Sequence, residues 1–345
     1  MAETKSNNQR VKTLLASVRK QVDSAKTELD LIDAIEEIKA FGSPLKFNLL
    51  AYYIIGSICV VIAILLGLYQ YLYFQVINSE ITLLMIVLAI VALGALAYVW
   101  HKKLSISKLE DYIFNKDLQL DNGLKEISVD AEEHARDLGI RFHDFNRGNY
   151  SREIRALYQG TYQGKDHTFN YYFYHFHYVD KRTTMSTDSK GRVQTKTVYD
   201  HYDRYGIYMP FTFVSNLALI SKSIGGVSGY NYKPASIQFN KIYKVIAESE
   251  IAAAKFLKPT VVIASEEIAQ KFREVNFEFN EDTELCMSFK DCDLLTLERK
   301  CSFNDLDGFI QEIRKVHVLP KLQTALEHIH TLMNYSDNNF RKHEQ

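Results

Sequence analysis

Cysteine is scarce in this chain: Cys59, Cys286, Cys292 and Cys301 are the only 4 in 345 residues. None belongs to a Cys-x-x-Cys pair, which weighs against metal or disulfide use and fits reduced thiols in a cytosolic domain. Proline is scarce too, at 5 residues, so no proline-rich linker is present. Neither sign of charge dominates. A formal net charge of -1 and a pI near 6.8 give no basic footprint for nucleic acid, which is excluded as the main partner. The glycine cluster Gly225-Gly-Val-Ser-Gly229 lacks the Lys-Ser/Thr of a P-loop, the spacing of a dinucleotide fingerprint and the flanking glycines of a nucleophile elbow. No catalytic residue and no cofactor are therefore expected.

The most telling absence is of charge in two long stretches. From Leu49 to Tyr69 no residue is charged and Ser57 is the one clearly polar side chain, and from Ile81 to Trp100 Thr82 carries the lone aliphatic hydroxyl. At about 1.5 Å rise per residue each stretch is long enough to cross a hydrocarbon core of roughly 30 Å. The first begins too far from the N-terminus, and is too long, for a cleaved signal peptide. The intervening Gln75-Val-Ile-Asn-Ser-Glu80 is too short for a domain, so an antiparallel hairpin is expected. Lys39 and Lys46 precede the first stretch, His101, Lys102, Lys103 and Lys108 follow the second, and the connection has no Lys or Arg. By the positive-inside rule both termini are cytoplasmic. Tyr69, Tyr71, Tyr73 and Phe74 at one boundary and Tyr98 and Trp100 at the other suit aromatic belts. Small residues recur at helical spacing, Gly56, Cys59, Ala63 and Gly67 on the first stretch and Ala89, Ala92 and Ala95 on the second. Gly56, Ala63 and Gly67 are the candidates for close packing in the membrane, against the partner stretch or a second copy. Neither stretch holds an Asp, Glu, His, Lys or Arg, which weighs against a pump or transporter.

Flanking segments read as helical. Val11, Leu15, Val18, Val22, Ala25 and Leu29 alternate spacings of three and four, as do Leu319, Leu322, Leu326, Ile329 and Met333 after a helical stretch through Phe309, Ile310, Ile313 and Val316. Each seam has a coiled-coil-like period and could pair with the other, with a second copy or with the globular domain. Pro320 is tolerable in a first helical turn.

The middle of the chain mixes periods. Ile106 to Leu138 reads as helix interrupted near Asn122-Gly123. Phe169 to Val179 and Val193 to Met209 read as one long antiparallel hairpin turning at Asp188-Ser-Lys-Gly191. Further on, Ser236 to Val245 is expected as a strand, Glu248 to Lys258 as a helix stopped by Pro259, Glu266 to Val275 as a helix, and Phe277 to Phe279, Leu285 to Phe289 and Leu294 to Leu297 as short strands. The fold class expected is α+β. Residues 1–46 form a cytoplasmic helical arm, 47–100 a transmembrane hairpin (spans 49–69 and 81–100), 101–304 a cytoplasmic domain of antiparallel sheet with helices, and 305–345 a C-terminal helical segment and tail.

One cluster carries possible chemistry. His175 and His177 alternate along a strand and so share a face, and a turn at Asp188 to Gly191 brings His201 nearly opposite, with Asp200 and Asp203 close by. Such a set, His175, His177 and His201, is a weak candidate metal site; a one-residue slip in register would scatter it. Lys181, Arg182, Lys190, Arg192 and Lys196 gather toward the hairpin tip, as a solvated turn or as a contact for anionic lipid headgroups or an acidic partner.

The segments Ile237-Gln-Phe-Asn-Lys-Ile-Tyr-Lys-Val and Glu250-Ile-Ala-Ala-Ala-Lys-Phe-Leu-Lys-Pro259 resemble the signature of a bacterial two-span membrane-protein family, domain of unknown function 3137. The two early spans and the Tyr158 to Gly164 entry into a β-rich stretch are similar as well. Phe239, Tyr243, Ala253, Leu257 and Pro259 are fold determinants in that resemblance, which implies a bacterial inner-membrane setting and lends no catalytic residue. The expectation is a membrane-anchored, non-enzymatic protein whose partners are the lipid bilayer and a second protein or copy of itself. The alternative is a metal-dependent, membrane-tethered enzyme built on the histidine cluster.

Overall fold

The computed structural model describes residues 6–42, 45–73, 78–187 and 193–336, without the side chains of residues 186–187 and 193–194. Phe74 and the connection at 75–77, the turn at Asp188 to Gly191, and Lys190 and Arg192 lie outside the described residues. In chain order the helices are α1 (Asn7–Ser24), α2 (Glu28–Ala40), α3 (Leu50–Tyr73), α4 (Ser79–Asp121), α5 (Ala131–Arg141), α6 (Ile237–Ile242), α7 (Glu250–Phe256), α8 (Pro259–Lys271), α9 (Leu306–Ile313) and α10 (Pro320–Ser336). The strands are β1 (Lys125–Glu126), β2 (Ser151–Gln163), β3 (Thr168–Thr187), β4 (Val193–Pro210), β5 (Leu217–Ile220), β6 (Tyr230–Tyr232), β7 (Lys244–Ala247), β8 (Asn276–Phe279) and β9 (Glu284–Phe289). The class is mixed helix and antiparallel sheet, 52% helical and 22% strand. The chain divides into two compact units, Met1–Leu120 with Glu298–Val316, and Asp121–Leu297 with His317–Gln345. The segment 305–345, expected as one piece, is thus shared: α9 belongs to the first unit and α10 to the second.

In the first unit the arm is two helices, because two capping boxes start helices where the seam reads as one. Ser6 caps α1 with Gln9 reaching back, and Thr27 caps α2 with Asp30 reaching back. The chain is extended at Ala25, so Leu29, expected on the seam, is exposed, and Leu14 takes the buried place beside a half-buried Leu15. Val11, Leu14, Val18 and Val22 are buried on α1, which packs on α2; α2 in turn packs on α9, whose Phe309, Ile310 and Ile313 are buried. The arm's apolar seam is therefore covered within the chain. α3 and α4 are long and apolar enough to cross a membrane, with mean hydropathies of 2.5 and 2.6 in windows of which only 6% is buried.

The second unit is built on one sheet, in the order β1-β2-β3-β4-β9-β8-β5-β7-β6, with antiparallel pairing between neighbours. Alternation along the strands makes two cores. On one face, Ala135 and Leu138 of α5 and Phe142 and Phe145 of the 3-10 helix His143–Asn146 pack on Ile154, Leu157, Tyr174, Phe176, Tyr208 and Cys286. On the other, Phe272 at the end of α8 lies against Phe289, and His328 of α10 against Phe277. Gly206 is required at the centre of β4: a Cβ there would sit 2.4 Å from the Met287 carbonyl oxygen and 2.5 Å from the Tyr174 hydroxyl.

Several expected elements shift. Ser236 to Val245 is the short helix α6, capped by the Ser236 hydroxyl, followed by β7; the N-cap signal wins over the β-rich composition. The helix expected before Pro259 is present as α7, but Pro259 also starts α8, ahead of the expected Glu266, because its fixed φ and missing N–H suit the first helical position. Leu294 to Leu297 is a turn, not a strand. His328 is fully buried, and desolvation depresses its imidazole to about 3. A base held neutral in the fold but titrating near 6.5 when unfolded imposes no penalty above about pH 6.5, and an increasing one as pH falls toward 3. Urea titrations of the detergent-solubilised protein from pH 7 to pH 4 are expected to show His328→Leu losing less stability than wild type; equal losses would contradict this placement.

Candidate functional site

The β3–β4 ladder brings the histidine candidates together. Its register pairs His177 with Asp203, His175 with Tyr205 and Val179 with His201, and β2 adds Glu153 opposite His177. These side chains share the face opposite α5, because their strand neighbours Tyr174, Phe176 and Arg204 point the other way. A register shift between Ile154 and Ala156 leaves Arg155 as the extra residue of a bulge. Its guanidinium lies 2.8 Å from Glu153 and 3.7 Å from Asp203.

The contacts run in a row. Asp203 Oδ1 lies 2.8 Å from both His175 Nε2 and His177 Nδ1, and His177 Nε2 lies 3.1 Å from His201 Nδ1. Burial pushes the Asp203 carboxyl up, but the hydrogen bonds from His175 and His177 outweigh it and hold the group below its ordinary value. As a carboxylate it only accepts, so both imidazoles donate to it. When neutral, His177 is thereby fixed as the Nδ1–H tautomer, its Nε2 then accepts from His201 Nδ1–H, and the outward nitrogen of the row is His201 Nε2. The rings stack, His175 on Tyr205 at 4.5 Å and His177 on His201 at 5.3 Å. Donors strung along a row do not converge on a point. Both nitrogens of His177 are engaged and Arg155 holds the cationic position beside Asp203, so a metal ion at His175, His177 and His201 requires these hydrogen bonds to break.

The opposite face holds a cluster that sequence reading missed. Asp144 is fully buried; burial raises its carboxyl, and Arg204 and Arg147 more than offset this and hold it low. Arg147 Nε reaches it at 2.6 Å and Arg204 Nε at 3.3 Å, and Arg204 also donates to Ser288 Oγ at 2.9 Å. Glu278 accepts from the backbone N–H of His143 and of Asp144, closing the start of the 3-10 helix. The arrangement pins that helix to the sheet. Arg204 gives a faint signal in sequence, a charge at an inward strand position, but only once the register is known.

Of the basic residues near the hairpin tip, Lys181 lies over the rings of Tyr150 and Tyr199 and Arg182 pairs with Asp200 at 2.5 Å. On α3, Gly56 is buried with its α-carbon facing Ala92 and Ala95 of α4, Gly67 faces Met85, and Ala63 is half-buried. The Tyr52 and Tyr98 rings meet at a tilt with centroids 4.4 Å apart, and Gln70 donates to Thr82 at 3.4 Å. Comparison with known proteins found no matching family model, no matching curated relative and no matching solved structure. The chemistry of the sites therefore rests on geometry alone.

Imidazole-nitrogen NMR at neutral pH tests the row. His177 is expected with its proton on Nδ1, and Asp203→Ala is expected to move that proton to Nε2 and remove the coupling to His201. A wild-type His177 protonated on Nε2 would contradict the assignment.

Proposed function

We propose that the protein is a membrane-anchored binding protein: α3 and α4 cross the bilayer as a two-helix hairpin, and the sheet unit stands on the cytoplasmic side and engages a protein partner or a second copy of the chain. The observation that carries the anchor is the exposure of the apolar faces. Ile54, Ile58, Ile62 and Leu65 on α3 and Leu83, Ile86, Ile90 and Leu93 on α4 each show 40% or more of their surface, while their small residues meet each other. A helix pair that buries glycine and alanine inward and presents Ile and Leu outward is inverted relative to water-soluble packing. A soluble core helix would be mostly buried, and a signal sequence would lie at the N-terminus; neither α3 nor α4 fits.

Lys39 and Lys46 on one flank and His101, Lys102, Lys103 and Lys108 on the other support termini on the cytoplasmic side. The setting proposed is a bacterial inner membrane, consistent with the resemblance of 237–259 to the two-span family. The surface proposed for the partner is the outer part of the β3–β4 ribbon. From Lys181 to Met185 and from Thr195 to Tyr202 most side chains are exposed on both faces, although an unpacked two-stranded ribbon is only marginally stable in water. Exposed Tyr199, Tyr202 and Met185 are side-chain types favoured at interfaces.

Sidedness is tested by thiol labelling in intact cells. Glu80→Cys, in the first turn of α4, is expected to react with a membrane-impermeant maleimide from outside, and the native exposed Cys292 only after permeabilisation. Reaction of both sites from the same side would overturn the topology.

A further inference from the structure

The first unit contains a cavity of about 1040 Å³ whose wall includes the first turns of α3 and the segment of α4 just past its apolar stretch. Tyr53 contributes from α3, Lys103 and Ser107 from α4, and Leu45, Lys46 and Leu49 from the chain leading into α3. The apolar stretch of α4 ends at Trp100, so this cavity sits where apolar helix surface gives way to polar, the depth of lipid headgroups on the anchor reading, on which this inference rests.

Its charge is lopsided once internal pairs are removed. Lys39 is matched by Asp307 at 2.6 Å. Glu110 is matched by Arg299 at 2.9 Å and accepts from the Phe303 backbone N–H at 2.7 Å. Among the described residues that leaves Lys46 and Lys103 without a carboxylate partner, both exposed. Lys103 Nζ lies 5.7 Å from the centre of the Tyr53 ring, and the neighbouring Lys102 Nζ 5.1 Å from that of Phe47. Aromatic faces hold such cations in place without neutralising them. Leu45 and Leu49 are buried in the wall below. A space with two uncompensated ammonium groups above an apolar floor, at the end of a bilayer-length apolar helix, matches a molecule with a phosphodiester at one end and hydrocarbon at the other.

We propose that this cavity binds the headgroup of an anionic phospholipid from the adjoining leaflet, with Lys46 and Lys103 holding the phosphate and Leu45, Leu49 and Tyr53 contacting the glycerol and upper acyl region. The lipid would lie between the arm and the anchor's first turns, so arm and bilayer would be joined by the lipid as well as by the chain.

The test uses the full chain, solubilised in mild detergent, delipidated and returned to bilayers of phosphatidylcholine with or without phosphatidylglycerol. Flotation with the vesicles is scored first. Native mass spectrometry of protein released from those bilayers then counts retained lipid, and inorganic phosphate is titrated in parallel. Wild type is expected to float and to retain phosphatidylglycerol over phosphatidylcholine. The Lys46→Gln/Lys103→Gln double variant is expected to float equally and lose that preference by roughly thirtyfold, about five- to sixfold from each of the two ammonium groups near anionic lipid. Lys108→Gln, outside the cavity, is expected to behave as wild type. A floating wild type with no preference, or a double variant that keeps it, overturns the headgroup site and leaves the anchor intact. Failure to float overturns the anchor itself, and the headgroup site with it. Phosphate binding as tight as lipid binding overturns the lipid as the source of the anion.

Discussion

The outward faces of α3 and α4 carry Ile, Leu and Val that no other part of the first unit covers, and the conformation of that unit depends on how this surface is solvated. In water, burial of apolar area is worth roughly 25 cal/mol per Å², and exposed helices of this kind would collapse onto any available apolar surface. In hydrocarbon that drive vanishes, and what remains is close backbone approach. Gly56 against Ala92 and Ala95, with Gly67 against Met85, provides such approach, and Tyr52 beside Tyr98 adds an aromatic contact near one end. A polar contact within the pair, Gln70 to Thr82, lies toward the other end, which on the anchor proposal is the depth where water or headgroups tolerate it.

The sheet unit solves a different problem, holding a very long ribbon in register. β3 and β4 pair from Tyr172 with Tyr208 out to Thr187 with Val193, far beyond the part gripped by helices. Two devices fix the inner half. On one face Asp144, Arg147, Arg204 and Glu278 tie the 3-10 helix to β4 and β8. Removing one partner from such a buried set typically costs about 3–5 kcal/mol, because the charge left behind stays desolvated. On the other face the row from His175 to His201 crosses β3 and β4 and is anchored by one carboxylate, Asp203. A one-residue slip between β3 and β4 would break that row.

Much of this architecture is legible in the residues themselves. The uncharged stretches, the inward small residues and the aromatic and His alternation from Phe169 to Val179 follow from composition and period alone, since each is a local pattern with a single physical reading. The proximity of His201 and Asp203 to His177 follows from counting outward from a turn. What escapes is set by partners distant in sequence. The bulge that swings Arg155 toward Asp203 cannot be read from a strand pattern, nor can the hydrogen bonds that link Asp203, His175, His177 and His201 in a row. Asp144, ordinary in a polar loop by sequence, is buried only because Arg204 lies sixty residues away on an inward strand position. Ser236 misleads for a local reason, since its capping preference outranks the β-rich composition, and Pro259 both follows the end of α7 and opens α8.

The protein's 1 tryptophan, Trp100, lies at the end of the apolar stretch of α4 with 72% of its surface uncovered by protein, which makes it a native depth gauge. Its emission in reconstituted bilayers, measured with lipids brominated at successive acyl positions and with aqueous iodide, tests lipid solvation of the helix pair directly. The account predicts strong quenching by bromines near the headgroup, weaker quenching by bromines at the bilayer centre and little by iodide. Emission indifferent to brominated lipid and freely quenched by iodide would contradict it.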